Sequence, residues 1–268
     1  EDVFEKILKV RSLVDKFKSE SEILGDLLMT ATLGVLLPVS KLKKVGDVRF
    51  KTEKELKNDK VEFISCLNAK LRDMVEDIRD LKCTLKNNHE LIISNSKNIG
   101  NITKSLKIDT VITSPPYLNG TNYLRNTKLE LWFLRFIQKE NDLRFYRNAI
   151  LTSGINDVSV AKNKSSEINV RDLSPLLRET LKHLDVAAYD QRLPLMCEDY
   201  YKEMYQVFSG LCRHLKRKSK ILIDIGDSVF ASVHIKTDKI LTEVLNTLGY
   251  ELKSEKVLSN LGMLGMFI

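Results

Sequence analysis

The sequence predicts an α/β fold in which a helical region, residues 1–88, precedes a core of alternating strands and helices, residues 89–268. Two observations predict this division. Apolar residues recur at helical spacing through the first third of the chain, and short β-branched runs alternate with amphipathic helices from residue 90 onward. With 268 residues, 43% of them hydrophobic, the chain is long and apolar enough to bury a core.

Three helices account for the first region. The first apolar face comprises Phe4, Ile7, Leu8, Val14 and Phe17. A second helix follows Ser21 and is expected to stop at Pro38, and a third, over residues 64–81, has an apolar face of the kind that packs on a sheet. The longest apolar run, residues 27–39, is shorter than the roughly 18 residues that a membrane span needs. We therefore expect no membrane-spanning helix.

The second region has the pattern of a doubly wound sheet with strands buried on both faces. The expected strands are residues 91–93, 110–112, 221–225 and 250–258. Helices are expected over residues 201–215 and 239–248. Residues 118–190 are polar and irregular apart from a helix near 129–136, and they are expected to form an excursion from the strand ends, where α/β proteins place their sites.

Residues 40–60 contain eight Lys or Arg and four Asp or Glu, with little apolar periodicity. We expect an exposed loop or a partner surface here. The chain carries a formal charge of +7, which favours a polyanionic partner without specifying it. The side chains expected to contact phosphates are Lys41, Lys43, Lys44, Arg49 and Lys51. A second basic run, residues 213–218, is expected to be a solvated turn.

Cysteine and histidine spacing indicates neither a disulfide scaffold nor a metal site. The cysteines Cys66, Cys83, Cys197 and Cys212 lack metal-ligand spacing, and no signal peptide precedes them, so we expect reduced thiols and a cytoplasmic protein. The four histidines are scattered, and no metal is expected. Glycine is scarce, at 11 residues, and no glycine-rich nucleotide loop is present.

One segment has the character of an active site: Asp109-Thr-Val-Ile-Thr-Ser-Pro-Pro-Tyr117. An apolar strand runs into two prolines, which preset the backbone of the turn. The turn resembles the catalytic motif of amino-methylating DNA methyltransferases, and the resemblance implies as target an exocyclic amino group, which is a poor nucleophile because its lone pair is delocalised into the ring. Two acceptors, the Ser114 hydroxyl and the Pro115 carbonyl, would draw its N–H bonds out of the ring plane. Pro116 would hold that carbonyl in place, and Tyr117 offers a face on which an extruded base stacks.

The Ser-Pro-Pro-Tyr sequence resembles the catalytic motif of AdoMet-dependent amino-methylating DNA methyltransferases, whose Ser form is most frequent in cytosine-N4 enzymes. Further segments resemble the same group in the same order: residues 119–123, 129–132, 189–194, 200–204, 226–228 and 234–238. The resemblance implies a partial Rossmann-like class I methyltransferase sheet that lacks its first strands. It also implies double-stranded DNA as substrate, with Asn122 and Tyr123 contacting it, in restriction-modification or host defence.

The departures from the family concern the cofactor. The glycine-rich cofactor loop and the acidic residue for the cofactor ribose are missing. Asn95, followed by Ser96, stands where an Asp normally receives the cofactor adenine. We therefore expect S-adenosyl-L-methionine as methyl donor, a further chain or segment that supplies the loop, and an isolated chain that binds the donor poorly and can be inactive. A further departure lies in the loop after Asp227, where the family tends to have Gly and Pro and this chain has Ala231, Ser232 and Lys236.

Two other functions remain open at this level. The chain can be a non-catalytic DNA-binding or assembly subunit that keeps the methyltransferase fold. An amino-methylating enzyme acting on adenine, RNA or a protein glutamine would share the Pro-Pro-Tyr turn. Ser114 and the Leu129-Glu-Leu-Trp132 segment favour cytosine N4 over adenine, RNA or a protein glutamine as the target.

Overall fold

A computed structural model describes residues 2–45, 47–59, 61–81, 89–104, 106–118, 123–139, 141–158, 168–259 and 263–267. The chain divides into two compact units. The first unit comprises Glu1–Leu91 with Tyr123–Leu143, and the second comprises Ile92–Asn122 with Arg144–Ile268. The domain boundary predicted between residues 88 and 89 stays a prediction.

The first unit is mainly helical. Its elements are α1 (Val3–Glu20), α2 (Glu22–Val39), β1 (Leu42–Val45), β2 (Asp47–Phe50), α3 (Glu53–Lys57), α4 (Phe63–Asp80), α5 (Tyr123–Asn126) and α6 (Lys128–Phe133). The three predicted N-terminal helices are confirmed as α1, α2 and α4. Helix α4 packs on α1 and α2, so the predicted packing against a sheet is wrong. Phe63 and Leu67 bury its apolar face among helices, which the periodicity alone does not distinguish from a sheet.

Helix α2 differs from the expectation drawn from its apolar run. It continues through Pro38 and extends to 18 residues with a mean hydropathy of 1.6, so by length and composition it is able to cross a membrane. These two criteria are also met by helices that do not cross a membrane, so the expectation that no helix spans a membrane stays a prediction. Within the first unit α2 packs against α1 and α4, with Ala31, Val35 and Leu36 buried in the core.

The basic stretch forms a hairpin instead of the predicted loop. Strands β1 and β2 pair antiparallel, with Lys43 opposite Arg49. Glu55 accepts hydrogen bonds from both side chains, at 2.9 Å from Lys43 Nζ and 2.8 Å from Arg49 Nη1. The Arg49 hydrogen bond is the main reason that the pKa of Glu55 is held well below its usual range. Like charges that face each other across β1 and β2 are tolerated because an acid from α3 lies between them.

Helix α7 (Asp142–Ala149) links the residues of the first unit to those of the second. The second unit contains β3 (Ile108–Thr113), α8 (Val170–Leu173), α9 (Pro175–Ala187), α10 (Arg192–Cys212), β4 (Leu215–Gly226), β5 (Ser228–Phe230), β6 (Val233–Ile235), α11 (Thr237–Asn246), β7 (Ser254–Ser259) and β8 (Met263–Phe267). Two 3-10 turns, Ser96–Asn101 and Ile155–Asp157, complete it.

The main sheet has the strand order β3-β4-β8-β7. Strands β3 and β4 are parallel, whereas β8 is antiparallel to both β4 and β7. The sheet is thus mixed, and β8 was not predicted. The expected strands at 110–112, 221–225 and 250–258 correspond to β3, β4 and β7. Ile221, Ile223 and Ile225 on β4 are each at most 1% exposed, which confirms a buried strand at the centre of this core.

The strand predicted at residues 91–93 is absent. Leu91 and Ile93 are 84% and 91% exposed, and no strand pairs with them among the described residues. A β-branched run becomes a strand only where a neighbour pairs with its backbone. Strand β3 is an edge strand in the described sheet. The Ile112 side chain on β3 is 78% exposed, so the expectation that this strand is buried on both faces is wrong.

Two further expectations need correction. The excursion contains α9, whose Ser174 hydroxyl accepts a hydrogen bond from the Leu177 backbone N–H and whose apolar face is Leu177, Leu181 and Leu184. That spacing is a helix signal. The basic run 213–218 is not the expected turn, because β4 begins within it at Leu215. Strand β4 has a bulge here: five positions separate Leu215 from Lys220, whereas two positions separate their partners on β3.

Gly210 should be indispensable for packing in the second unit. A Cβ at this position of α10 would lie 2.8 Å from the Gly100 backbone nitrogen, whereas a Cβ at Gly34 of α2 would lie 3.6 Å from its nearest neighbour, Lys70 Cε. We expect Gly210→Ala to lower the free energy of unfolding by about 1 to 3 kcal/mol through overpacking. The matched Gly34→Ala should raise it by about 0.5 to 1 kcal/mol. Urea denaturation followed by circular dichroism measures both, and equal stability of the two variants would contradict the close approach.

Candidate active site

The Ser-Pro-Pro-Tyr turn directly follows β3 at its carboxyl end. Ser114 is exposed, Pro115 is buried, and Tyr117 is half-buried against the core of the second unit. Two consecutive prolines fix the backbone φ angles of the turn and remove two N–H donors. The Ser114 hydroxyl is thereby presented to solvent on a stiff support.

A hydrogen-bonded chain joins this turn to the neighbouring strand. The Ser114 hydroxyl donates to Tyr117 Oη at 3.4 Å, and the Tyr117 hydroxyl donates to Asp224 Oδ2 at 3.1 Å. Asp224 lies on β4, whose residue Ile223 is opposite Thr113 in the parallel register, so the carboxylate reaches the end of β3. Its other oxygen, Oδ1, is buried and has no hydrogen-bond partner among the described residues.

The loop after β4 holds the turn from the other side. The Ser228 hydroxyl donates to the carbonyl of Leu118, which is fully buried. Asp227 accepts hydrogen bonds from His234 Nε2 at 2.8 Å and from the Thr237 backbone N–H at 2.9 Å. Burial, together with the nearby Asp227 carboxylate, raises the pKa of Asp238. These contacts make Asp227 an anchor of this loop.

The turn between β5 and β6 contains two residues in a conformation that favours glycine. Ala231 and Ser232 have φ angles of +49° and +63°, in the left-handed region. Glycine reaches this region without steric cost, whereas other L residues pay for it. The backbone therefore needs the conformation for which glycine is suited, although the sequence supplies Ala and Ser.

Asn95 and Ser96 begin the 3-10 turn Ser96–Asn101. The Asn95 side chain donates from Nδ2 to the Ala149 carbonyl at 2.9 Å and accepts at Oδ1 from the Lys97 backbone N–H at 3.0 Å. Ser96 is exposed. Asn95 is thus already engaged as a cap, and contact with a cofactor would use its remaining lone pair or replace one of these hydrogen bonds.

The segment around Trp132 lies in the first unit. Trp132 stacks with Phe4 at a ring-centroid distance of 5.6 Å, and Arg11 lies over its ring at 5.1 Å. Tyr123 begins α5 and is 41% exposed, whereas Asn122 lies outside the described residues. The expected DNA contact of Tyr123 stays a prediction.

The five basic candidates of residues 41–51 have different surroundings. Lys43 and Arg49 are exposed but paired with Glu55. Lys51 is 11% exposed and bonded to Asp59 at 2.5 Å and to the Ser40 carbonyl at 2.6 Å, so it mainly holds the hairpin to the end of α2. Lys41 and Lys44 are exposed and have no ion pair within the described part of the chain.

Three of the four cysteines belong to the described residues. Cys66, Cys197 and Cys212 are free thiols, and Cys83 lies outside the described residues. Burial raises the pKa of the Cys197 thiol far above its usual range, so it stays protonated. Within the ranges that the structure describes, no three His, Cys, Asp or Glu side chains are grouped so as to hold a metal ion.

Comparison with known proteins shows that the sequence of this chain is similar to those of Type II DNA methyltransferases. The chain is 30% identical over 158 residues to "Type II methyltransferase M.AvaI" from Nostoc sp. and, equally, from Anabaena variabilis, which is 56% of this chain and 32% of the relative. It is 27% identical over 209 residues to "Type II methyltransferase M.BsoBI" from Geobacillus stearothermophilus, which is 70% of this chain and 40% of the relative.

The chain therefore spans about a third to two-fifths of the length of these relatives. No family model matches it. No solved structure matches it either.

Proposed function

We propose that this chain is the base-binding part of a site-specific DNA methyltransferase that transfers a methyl group from AdoMet to an exocyclic amino group, most favourably cytosine N4, in restriction-modification. The observation that carries the proposal is the Ser-Pro-Pro-Tyr turn, which ends β3 with Ser114 exposed and Tyr117 hydrogen-bonded to Asp224. The similarity to Type II methyltransferases supports it. An enzyme that acts on DNA in this way works in the cytoplasm.

The turn activates the target amine by accepting its N–H groups. The Ser114 hydroxyl oxygen and the Pro115 carbonyl oxygen are two acceptors on a stiff backbone. Because Tyr117 is tethered by its hydroxyl to Asp224 at 3.1 Å, its ring has a fixed orientation for a base turned out of the duplex. Positioning of the base is the main contribution of these residues to the rate.

The nitrogen must lose one proton once it has been methylated. In the proposed mechanism this proton passes to the Ser114 oxygen, the Ser114 proton passes to Tyr117, and the Tyr117 proton passes to the Asp224 carboxylate. The hydrogen bonds from Ser114 to Tyr117 and from Tyr117 to Asp224 support this path. Asp224 ends neutral and releases its proton to solvent before the next turnover.

The described residues do not by themselves fit AdoMet. Asn95 is engaged on both sides of its amide group, and the sequence contains no glycine-rich turn. We propose that a further segment or chain of the enzyme supplies that turn and, through it, the electrophilic methyl group. Among the described residues the outer edge of β3 pairs with no strand, which supports a further strand at this side of the sheet.

Nucleoside analysis tests the proposal and separates it from its alternatives. The full-length enzyme is incubated with duplex DNA and isotopically labelled AdoMet, and the DNA is digested to nucleosides. We expect label in N4-methylcytosine. Label in N6-methyladenine would overturn the cytosine assignment. Absence of label, with DNA still bound, would favour the non-catalytic DNA-binding subunit.

A further inference from the structure

The first unit contains a groove of about 950 Å³ between the β1–β2 hairpin and residues 125–143. One wall is the hairpin, from which Leu42, Val48 and Phe50 line the groove. The opposite wall includes Leu129 and Trp132 of α6. The two walls come from parts of the sequence some 80 residues apart, so the groove exists only in the folded unit.

The rim of this groove is basic. Its cations are Lys41, Arg49, Arg125, Lys128 and Lys139, and no Asp or Glu is among the described residues that line it. All five are exposed. Arg49 is paired with Glu55, whereas Lys41, Lys128 and Lys139 have no ion pair within the described residues. Cations on both walls create a positive field in the groove, which selects a polyanion.

Two aromatic side chains of the walls, Phe50 and Trp132, add an apolar component to this charge. Phe50, at the end of β2, lines the groove and is 76% exposed, so its ring is accessible to a ligand there. Trp132 is held from behind by Phe4 and Arg11. Duplex DNA presents the complementary surface, because phosphates flank a major groove in which apolar side chains such as Phe contact thymine methyl groups.

We propose that this groove is a duplex DNA-binding site, in which its lysines contact phosphates and the hairpin presents Phe50 to the bases. A two-stranded β-ribbon such as β1–β2 is an element that the major groove admits. The proposal rests on the proposed function for its choice of DNA as the polyanion. The proposal adds Arg125, Lys128 and Lys139 to the phosphate-contacting side chains, whereas the sequence predicted such contacts within residues 41–51.

Salt dependence of DNA binding tests the groove. The triple variant Lys41→Gln, Lys128→Gln, Lys139→Gln removes three groove cations. The control triple Lys16→Gln, Lys182→Gln, Lys256→Gln removes the same charge from exposed positions outside the groove. Fluorescence anisotropy of a labelled duplex, from 50 to 200 mM salt, gives the slope of log K against log salt for the full chain. The groove triple should reduce that slope by about 2 to 3, since each phosphate contact contributes about 0.9.

Phe50→Ala reports the aromatic contact separately. We expect it to weaken duplex binding about tenfold at every salt concentration while leaving the slope unchanged. Circular dichroism confirms that each variant is folded.

Several outcomes would overturn the groove assignment. They are an equal slope change in the two triples, tighter binding of single-stranded than of duplex DNA, and competition by polyglutamate as effective as that by DNA. None of these results depends on methylation, so the groove and the proposed activity can fail independently.

Discussion

Ser114→Ala should lower the rate of methyl transfer to DNA in the full-length enzyme by about 10² to 10³, comparable to the loss of one preorganised hydrogen-bonding group in other active sites. Ser114 is exposed at the end of β3 and makes its described hydrogen bond to Tyr117 alone, so its removal disturbs no buried contact. Binding of DNA should change less than threefold. Single-turnover transfer of labelled methyl groups measures the chemical step, and anisotropy measures binding.

Ser12→Ala is the matched control, because Ser12 is also exposed and donates its hydroxyl to a local backbone carbonyl. It should leave the transfer rate unchanged. Ser114→Asn should restore part of the rate, since the amide oxygen of Asn also accepts a hydrogen bond from an N–H group. Retention of more than a tenth of the activity by Ser114→Ala would contradict the proposed role of the hydroxyl.

The second large effect concerns the methyl donor. The 268-residue chain should bind AdoMet about two to four orders of magnitude more weakly than the full-length or reconstituted enzyme, so that micromolar binding becomes millimolar or worse. Two contacts are expected to be missing, the backbone approach at a glycine-rich turn and an acid for the ribose, at roughly 1.5 to 3 kcal/mol each. The engaged Asn95 amide adds little to compensate. Titration calorimetry of the two proteins gives the comparison.

A micromolar dissociation constant for the 268-residue chain would contradict this expectation. It would mean that the chain holds a cofactor site without a glycine-rich turn, and the proposed supplying segment would then have no role. Weak binding by both proteins would instead favour the non-catalytic subunit. The two results are distinguishable because the nucleoside assay reads methylation independently of the affinity.

Local signals predicted several of the regular elements. Helices α1, α2 and α4 and strand β4 were predicted because their apolar residues keep one period over many positions, and that period reflects which face is buried. The helix α9 carried an equally clear pattern of Leu177, Leu181 and Leu184, and it was missed because the surrounding segment is polar. The Ser-Pro-Pro-Tyr turn was found because proline restricts the backbone through its own ring.

Pairing partners could not be predicted in the same way. Residues 91–93 have the composition of a strand but no strand pairs with them among the described residues, and β8 forms between β4 and β7 although its segment had no assigned structure. Strand formation depends on hydrogen bonds to a neighbour that is distant in sequence, so composition alone cannot decide it. The hairpin of residues 42–50 was missed for a related reason, because Glu55 supplies the charge that its cations require.

The sequence by itself determined the chemistry available at the candidate site: a hydroxyl, a carbonyl and an aromatic ring on a rigid turn at the end of a strand. The tertiary structure decided which groups support that chemistry. Asp224 reaches Tyr117 across more than a hundred residues because β3 and β4 are parallel neighbours in register. Phe50 and Lys128 line one groove because the hairpin and α6 fold into the same unit. Local sequence fixes backbone preferences, whereas contacts between distant segments arise only when burial of apolar surface brings them together.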